Sequence, residues 1–242
     1  MKSKSLAATL GLLIAALPAT AATLTSGHVD IIGIAYDGTD FDPHSHADPE
    51  AIVDGSPVGD APDGKEYAPG ALTVQTFLTT TRASGAAWDP VGVSSGESFW
   101  LFSETEIAGS PFLGIGAEEL TAADWVNGEI TITLTGMTSP LGATFSLWQT
   151  DAGVPTFFMS TLDGISGSDA YLMDLDVGDH SHFGWGFTAE GDYELTFEIS
   201  GVHVADGAKS ATATYNFSVI PEPSSALLGA IGALAMLRRR RN

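Results

Sequence analysis

Positions 129–135 read Glu-Ile-Thr-Ile-Thr-Leu-Thr, an unbroken alternation of apolar and polar side chains. Successive side chains of an extended chain point to opposite faces. Ile130, Ile132 and Leu134 therefore share one face, and Thr131, Thr133 and Thr135 share the other. β-Branched residues dominate the run and favour a strand half-buried against a core. The same period recurs at Tyr193, Leu195, Phe197 and Ile199, with Glu194, Thr196 and Glu198 toward water, and again at Ala213, Tyr215, Phe217 and Val219. Working outward, strands are predicted over 28–36, 72–79, 98–102, 129–135, 144–149, 183–188, 193–204 and 210–220. Turn clusters such as Asp37-Gly38, Asp63-Gly64, Asp151-Ala152-Gly153 and Asp206-Gly207 separate them. No stretch of the body carries a sustained helical period, and 117–125 is the best short helical candidate. The expected fold is all-β, a single antiparallel β-sandwich of immunoglobulin-like or jelly-roll type. Segments 37–70 and 160–179 carry almost no strand signal and read as loops, functional or flexible, each beside a pair of histidines.

The two ends carry different signals. Lys2 and Lys4 precede an apolar run over 6–17, and Ala19-Thr20-Ala21 offers small residues for cleavage. This is the pattern of an export signal over 1–21, cut by signal peptidase after Ala21, with Ala22 nearly as good. At the other end Pro221-Glu222-Pro223 leads into an apolar segment over 224–237, expected to form a short helix, and Arg238, Arg239, Arg240 and Arg241 follow. Prolines break both helix and ladder, apolar residues partition into a bilayer, and arginines stay on its cytoplasmic side. Fourteen residues between hinge and arginines fall short of the roughly 20 that a permanent span requires. A temporary membrane stop fits this length, with a plain C-terminal tail anchor as the alternative. The tail over 220–242 resembles the PEP-CTERM sorting signal of Gram-negative bacteria. That resemblance implies an exosortase-type processing partner, transit across the inner membrane, transient anchoring, and a final place at the cell surface or in the extracellular matrix.

Between the signals lies a body of about 22–219. It is long enough for a real hydrophobic core in one domain. Over 22–220 it has three basic side chains, Lys65, Arg82 and Lys209, against 29 acids, a formal charge of −26. Such a surface repels nucleic acid and offers no basic patch to overcome that repulsion. Solubility in a salty extracellular setting accounts for it, and divalent cations or cationic partners are its natural counter-charges. The chain has no cysteine. Stability must therefore come without disulfides, and any metal site must use histidine and oxygen ligands.

Four of the six histidines fall in two His-x-His pairs, His44-Ser45-His46 and His180-Ser181-His182. Random placement would give roughly 0.15 such pairs, too few to explain two by chance composition. In extended chain each pair presents two imidazoles on one face, a geometry suited to Zn2+ with four ligands. His28, or a carboxylate among Asp30, Asp42, Asp48 and Asp179, can complete the set or orient a ligand from behind. The alternative is a set of exposed polar residues in Asp/Ser-rich loops. His203 continues a strand and reads as structural. Asp174, Asp176 and Asp179 invite a Ca2+ reading but miss the calcium-loop pattern, because Gly178 stands at its fifth position. Asp37, Asp40 and Asp42 carry the same ambiguity, with a solvated acidic loop as the default.

In order along the chain, Gly27-His28-Val29-Asp30, His44 and His46, and Gly114, Gly116, Ala117, Glu118 and Glu119 are followed by His180, His182, Trp185, Phe187 and Thr188, then Gly191, Tyr193, Leu195, Thr196 and Phe197. This ordered set is similar to the choice-of-anchor M domain, related to the actinobacterial surface-anchored repeat domain, over nearly the whole body. Two positions depart from the family pattern: Gly184 stands where Asn usually precedes the Trp, and Glu190 where Pro usually precedes the turn glycine. The resemblance implies a surface-displayed β domain, and its actinobacterial association with metal-type ABC transport systems implies divalent-metal chemistry. The leading expectation is a non-enzymatic, exported protein that binds zinc through His28, His44, His46, His180 and His182. A second is a structural or adhesive matrix protein, with Trp88, Trp100, Trp148 and Trp185 available to stack on extracellular polysaccharide. A third is a zinc hydrolase with three imidazoles and an open position. It lacks both a His-Glu-x-x-His helix and a Gly-x-Ser-x-Gly elbow.

Overall fold

The computed structural model describes residues 21–176 and 180–221. Ala19, Asp179, Glu222, Pro223, the apolar segment 224–237 and the four arginines lie outside the described residues. Among the described residues, no helix is long and apolar enough to cross a membrane.

The described chain is all-β. It opens with β1 (Ala22–Tyr36), β2 (Phe41–Ala47), β3 (Ile52–Val53), β4 (Ser56–Pro57), β5 (Lys65–Tyr67) and β6 (Leu72–Thr76). Next come β7 (Thr79–Thr81), β8 (Ser98–Phe102), β9 (Pro111–Gly116), β10 (Trp125–Thr138), β11 (Phe145–Asp151) and β12 (Val154–Ser160). The last are β13 (Ala170–Asp174), β14 (His180–His182), β15 (Gly184–Phe187), β16 (Gly191–His203) and β17 (Gly207–Val219). Two sheets form. The larger, of twelve strands, runs β13-β10-β16-β17-β6-β1-β2-β5, with β9 and β14 joined to one side of β1 and β3 and β4 to its start. The smaller runs β12-β11-β15-β8-β7.

The alternation that marked the strands is the alternation that builds the core. Ile130, Ile132 and Leu134 of β10, Leu195 and Phe197 of β16, and Phe217 of β17 are all buried. They meet aromatics of the smaller sheet: Trp185 lies 5.6 Å from Phe217, and Phe102 lies 6.0 Å from the same ring. Each such side chain contributes about 1.5–3 kcal/mol by leaving water.

Several expectations are corrected. The pairing is mixed rather than purely antiparallel, because β1 runs parallel to both β6 and β9, and β17 runs parallel to β6. Segment 37–70 is not a loop. It holds β2, β3, β4 and β5, whose backbone groups pair with β1 and with each other although their side chains do not alternate. Likewise 160–179 contains β13, paired with β10 through Ile130↔Met173. The helical candidate 117–125 reduces to one 3-10 turn, Ala122–Asp124, before Trp125 starts β10.

β1 organises the site. Its first residues pair with β6, and its second half lies between β9 and β2. Against β2 it advances from Asp30 to Gly33 while β2 moves from His46 to His44. Against β9 it advances from Asp30 to Ile32 while β9 moves from Gly114 to Ile115. Both ladders therefore place one extra residue in β1 at the Ile31-Ile32 doublet, a β-bulge. An extra residue shifts the parity of all that follow. His28, Asp30 and Gly33 thus come to one face, while Val29, Ile32 and Ile34 turn to the core, where all three are buried.

Candidate metal centre

β9 lies between β1 and β14, and the register sets the site. His28 stands beside Phe112 and Asp30 beside Gly114 across the parallel ladder. His182 stands opposite Gly114 and His180 opposite Gly116 across the antiparallel one. Residues two apart share a face, so His28 and Asp30 from one strand meet His180 and His182 from the other. The strand between them has little side chain to get in the way. A Cβ at Gly114 would lie 2.0 Å from Asp30 Oδ1 and 3.1 Å from His180 Nε2. One at Gly116 would lie 2.5 Å from Glu118 Oε2. Phe112 supplies the support: its ring stacks on His182 at 3.6 Å with 9° between planes.

Three imidazoles converge through the same atom. His28 Nε2 lies 3.3 Å from His180 Nε2, which lies 3.0 Å from His182 Nε2. Asp30 Oδ1 approaches His180 Nε2 at 3.4 Å and His28 Nε2 at 3.8 Å. A tetrahedral zinc with bonds of about 2.0–2.1 Å separates its nitrogen ligands by about 3.3–3.4 Å. The His28–His180 and His180–His182 separations are close to that spacing.

The outer nitrogens determine what the inner ones can do. His28 Nδ1 faces Asp48 Oδ2 at 3.1 Å, His180 Nδ1 contacts Glu118 Oε1, and His182 Nδ1 lies 3.0 Å from the Leu113 carbonyl. Carboxylates and carbonyls only accept, so His180 and His182 donate from Nδ1 outward. The Nε2 atoms face inward, in hydrogen-bond contact between His28 and His180 and between His180 and His182, with Asp30 Oδ1 beside them. That oxygen is buried and has no hydrogen-bond partner. Leaving such an atom unpaired costs about 1–3 kcal/mol. His28, His180 and His182 form one group able to hold a metal ion, and Asp30, Glu118 and His180 form an overlapping one.

The electrostatics agree. Burial raises the Asp30 carboxyl to about 6, against the opposing pull of His180 and His28. His182 is lowered to about 4, chiefly by burial, with the Leu113 carbonyl working the other way and His180 and His28 adding to the fall. Burial also works to raise Glu118, but its hydrogen bonds to His180 and to its own backbone hold it below the ordinary glutamate value.

The five predicted histidines do not form one set. His28 joins the late pair instead of the early one. His44 is buried, donates from Nδ1 to the Asp42 carbonyl at 3.1 Å, and faces Glu119 Oε1 at 3.2 Å. It belongs to a neighbouring group with Glu66 and Glu119. His46 Nε2 turns to the Asp63 carbonyl at 2.5 Å. Strand pairing with β1 puts both on the same cleft, but the bulge in β1 shifts their register. Asp30 forms an overlapping group with Glu118 and His180, and Asp42 contributes its backbone carbonyl while its side chain is exposed. His203 is structural as expected, stacked on Tyr36 and paired with Asp206.

Glu66, Phe112, Glu118 and Glu119 escaped the site prediction. Glu118 and Glu119 stood in the Gly-x-Gly-Ala-Glu-Glu segment, which was a signal; Glu66 and Phe112 had none. Asp37 Oδ1 accepts from the Thr39 and Asp40 N–H groups, and Asp174 Oδ1 from the Asp176 N–H, so these acids serve turns. Of the tryptophans offered for sugar stacking, Trp148 and Trp185 are buried.

The cleft measures about 350 Å3 and is lined by His28, Asp30, His44, Glu66, Glu118 and Glu119 among others. A wider depression of about 510 Å3 on the outer face of the large sheet is lined by residues such as Val126, Leu172 and Lys209. Among the described residues it carries no comparable donor group. Imidazole and carboxylate donors suit zinc and its borderline neighbours. In comparisons with known proteins, no family model matches the chain, and neither a curated protein nor a solved structure matches it.

Proposed function

We propose that this is an exported, surface- or matrix-associated, non-enzymatic protein whose single β-sandwich domain binds a divalent transition metal, zinc by preference. His28, His180, His182 and Asp30 would hold the ion. One observation carries the reading: the Nε2 atoms of His28, His180 and His182 converge beside the buried Asp30 carboxylate, while their Nδ1 atoms face Asp48, Glu118 and the Leu113 carbonyl. Asp48, Glu118 and the Leu113 carbonyl are the outer partners that orient metal-binding imidazoles and raise their basicity. A fourth protein donor favours retention of the ion over activation of water, since catalytic zinc keeps one position open. Export and processing at the tail rest on the N-terminal pattern and on Pro221-Glu222-Pro223 with the four arginines. The resemblance to the choice-of-anchor M domain supports surface display and a partnership with metal transport.

The test is metal content. The full-length chain, loaded with Zn2+ and dialysed, is expected to keep about one equivalent, and the His180→Ala/His182→Ala variant almost none. Less than half an equivalent in the wild type, or retention unchanged in the double variant, would falsify the reading.

A further inference from the structure

We infer that the same cleft holds a second, weaker divalent-cation site, formed by His44, Glu66 and Glu119 and distinct from the three-imidazole centre. Their ligand atoms lie within 4.8 Å of one another. His44 is only 8% exposed, and its place is made for it. β2 pairs His44 with Gly33 of β1, where a Cβ would lie 2.7 Å from the His44 Nε2. Only glycine lets the imidazole lie across the strand at that point. The bulge in β1 brings Gly33 to the cleft face. Glu66 stands opposite His46 on β5 and so shares the face of His44.

His44 donates from Nδ1 to the Asp42 carbonyl at 3.1 Å, and its Nε2 faces Glu119 Oε1 at 3.2 Å. A divalent ion answers both carboxylates and the nitrogen together. Three further carboxylates, Asp30, Asp48 and Glu118, line the same cleft and deepen its negative potential. One nitrogen and two carboxylates make an oxygen-rich set, which accepts harder ions such as Mn2+ as well as Zn2+. Glu119 is half-exposed, with 53% of its side chain open to solvent. Water therefore completes this sphere, and its ion exchanges more readily than one held by three imidazoles. The consecutive glutamates divide between the two centres: Glu118 holds His180 and Glu119 faces His44.

Titration of the metal-stripped, full-length chain with Mn2+, read by loss of the free-ion EPR signal, tests this. Binding is expected in two phases that sum to about two equivalents. His44→Ala and Glu119→Gln should each weaken the second phase at least about tenfold and leave the first within about twofold. Glu66→Gln changes an exposed side chain and gives the same readout without risk to the buried face. A single phase that survives all three substitutions overturns the second site and leaves the first standing. A surviving phase that His44→Ala abolishes and His180→Ala does not touch supports the second site while defeating the three-imidazole centre.

Discussion

Gly114 has no side chain, and Asp30 Oδ1 occupies the space where one would stand, 2.0 Å from a built Cβ. The chemistry of the centre thus depends on an atom group that is absent from the strand between its ligands. Gly114→Ala is expected to drive the carboxylate out, abolish zinc retention and lower stability by about 1–3 kcal/mol. Metal analysis and urea denaturation check this, and a variant that keeps its zinc and its midpoint would show Asp30 to be placed by something else. Much at this scale was readable in advance. His180 and His182 had to share a face once they lay in extended chain, and so did His28 and Asp30. Their mutual approach was not readable, since His28 and His180 are 152 residues apart. The outer partner Glu118 was hidden for the same reason, 62 residues from the ring it orients.

Among elements, the legible strands are those with one face in the core. β10, β16 and β17 alternate because water lies on one side and Trp185, Phe187 and Phe102 on the other. β2 and β9 were missed because their sequences, Phe-Asp-Pro-His-Ser-His-Ala and Pro-Phe-Leu-Gly-Ile-Gly, are written for the cleft. Proline, glycine and aspartate are depleted in strands, yet the backbone of β1 pairs with both segments. The Tyr193 hydroxyl closes the turn into β16, donating to the Ala189 carbonyl at 2.8 Å and accepting from the Ala189 N–H at 3.2 Å. Burial raises this phenol to about 12. A raised acid favours the folded state while it is neutral, so its contribution is complete below the unfolded pKa of about 10. It is lost as pH climbs from there toward 12. Denaturation midpoints should therefore fall over that interval, and Tyr193→Phe should flatten the fall while costing about 1 kcal/mol near neutrality. An equal alkaline loss in the variant would assign the effect elsewhere, with buried Tyr215, also raised, the next phenol to replace.

For the whole molecule, a charge of −26 over 22–220 acts on the fold as self-repulsion. Raising NaCl from about 10 to about 150 mM shortens the Debye length from about 30 to 8 Å and should raise the melting temperature of the metal-free chain. Calorimetry at the two ionic strengths decides it, and an unchanged or lower melting temperature would count against repulsion as a net destabiliser. Composition alone established that charge and the absence of thiol ligands and disulfides. Local periodicity established that the body is all-β, because the alternation of Ile130-Thr131-Ile132 answers only to an interface between core and water. Which histidines meet was decided by tertiary structure. The parallel ladder to β9 brings His28 to His180, and one extra residue in β1 sets Gly33 opposite His44, which lies with Glu66 and Glu119. Strand pairing is a bond between backbones distant in sequence, and its register leaves no mark on the side chains that it brings together.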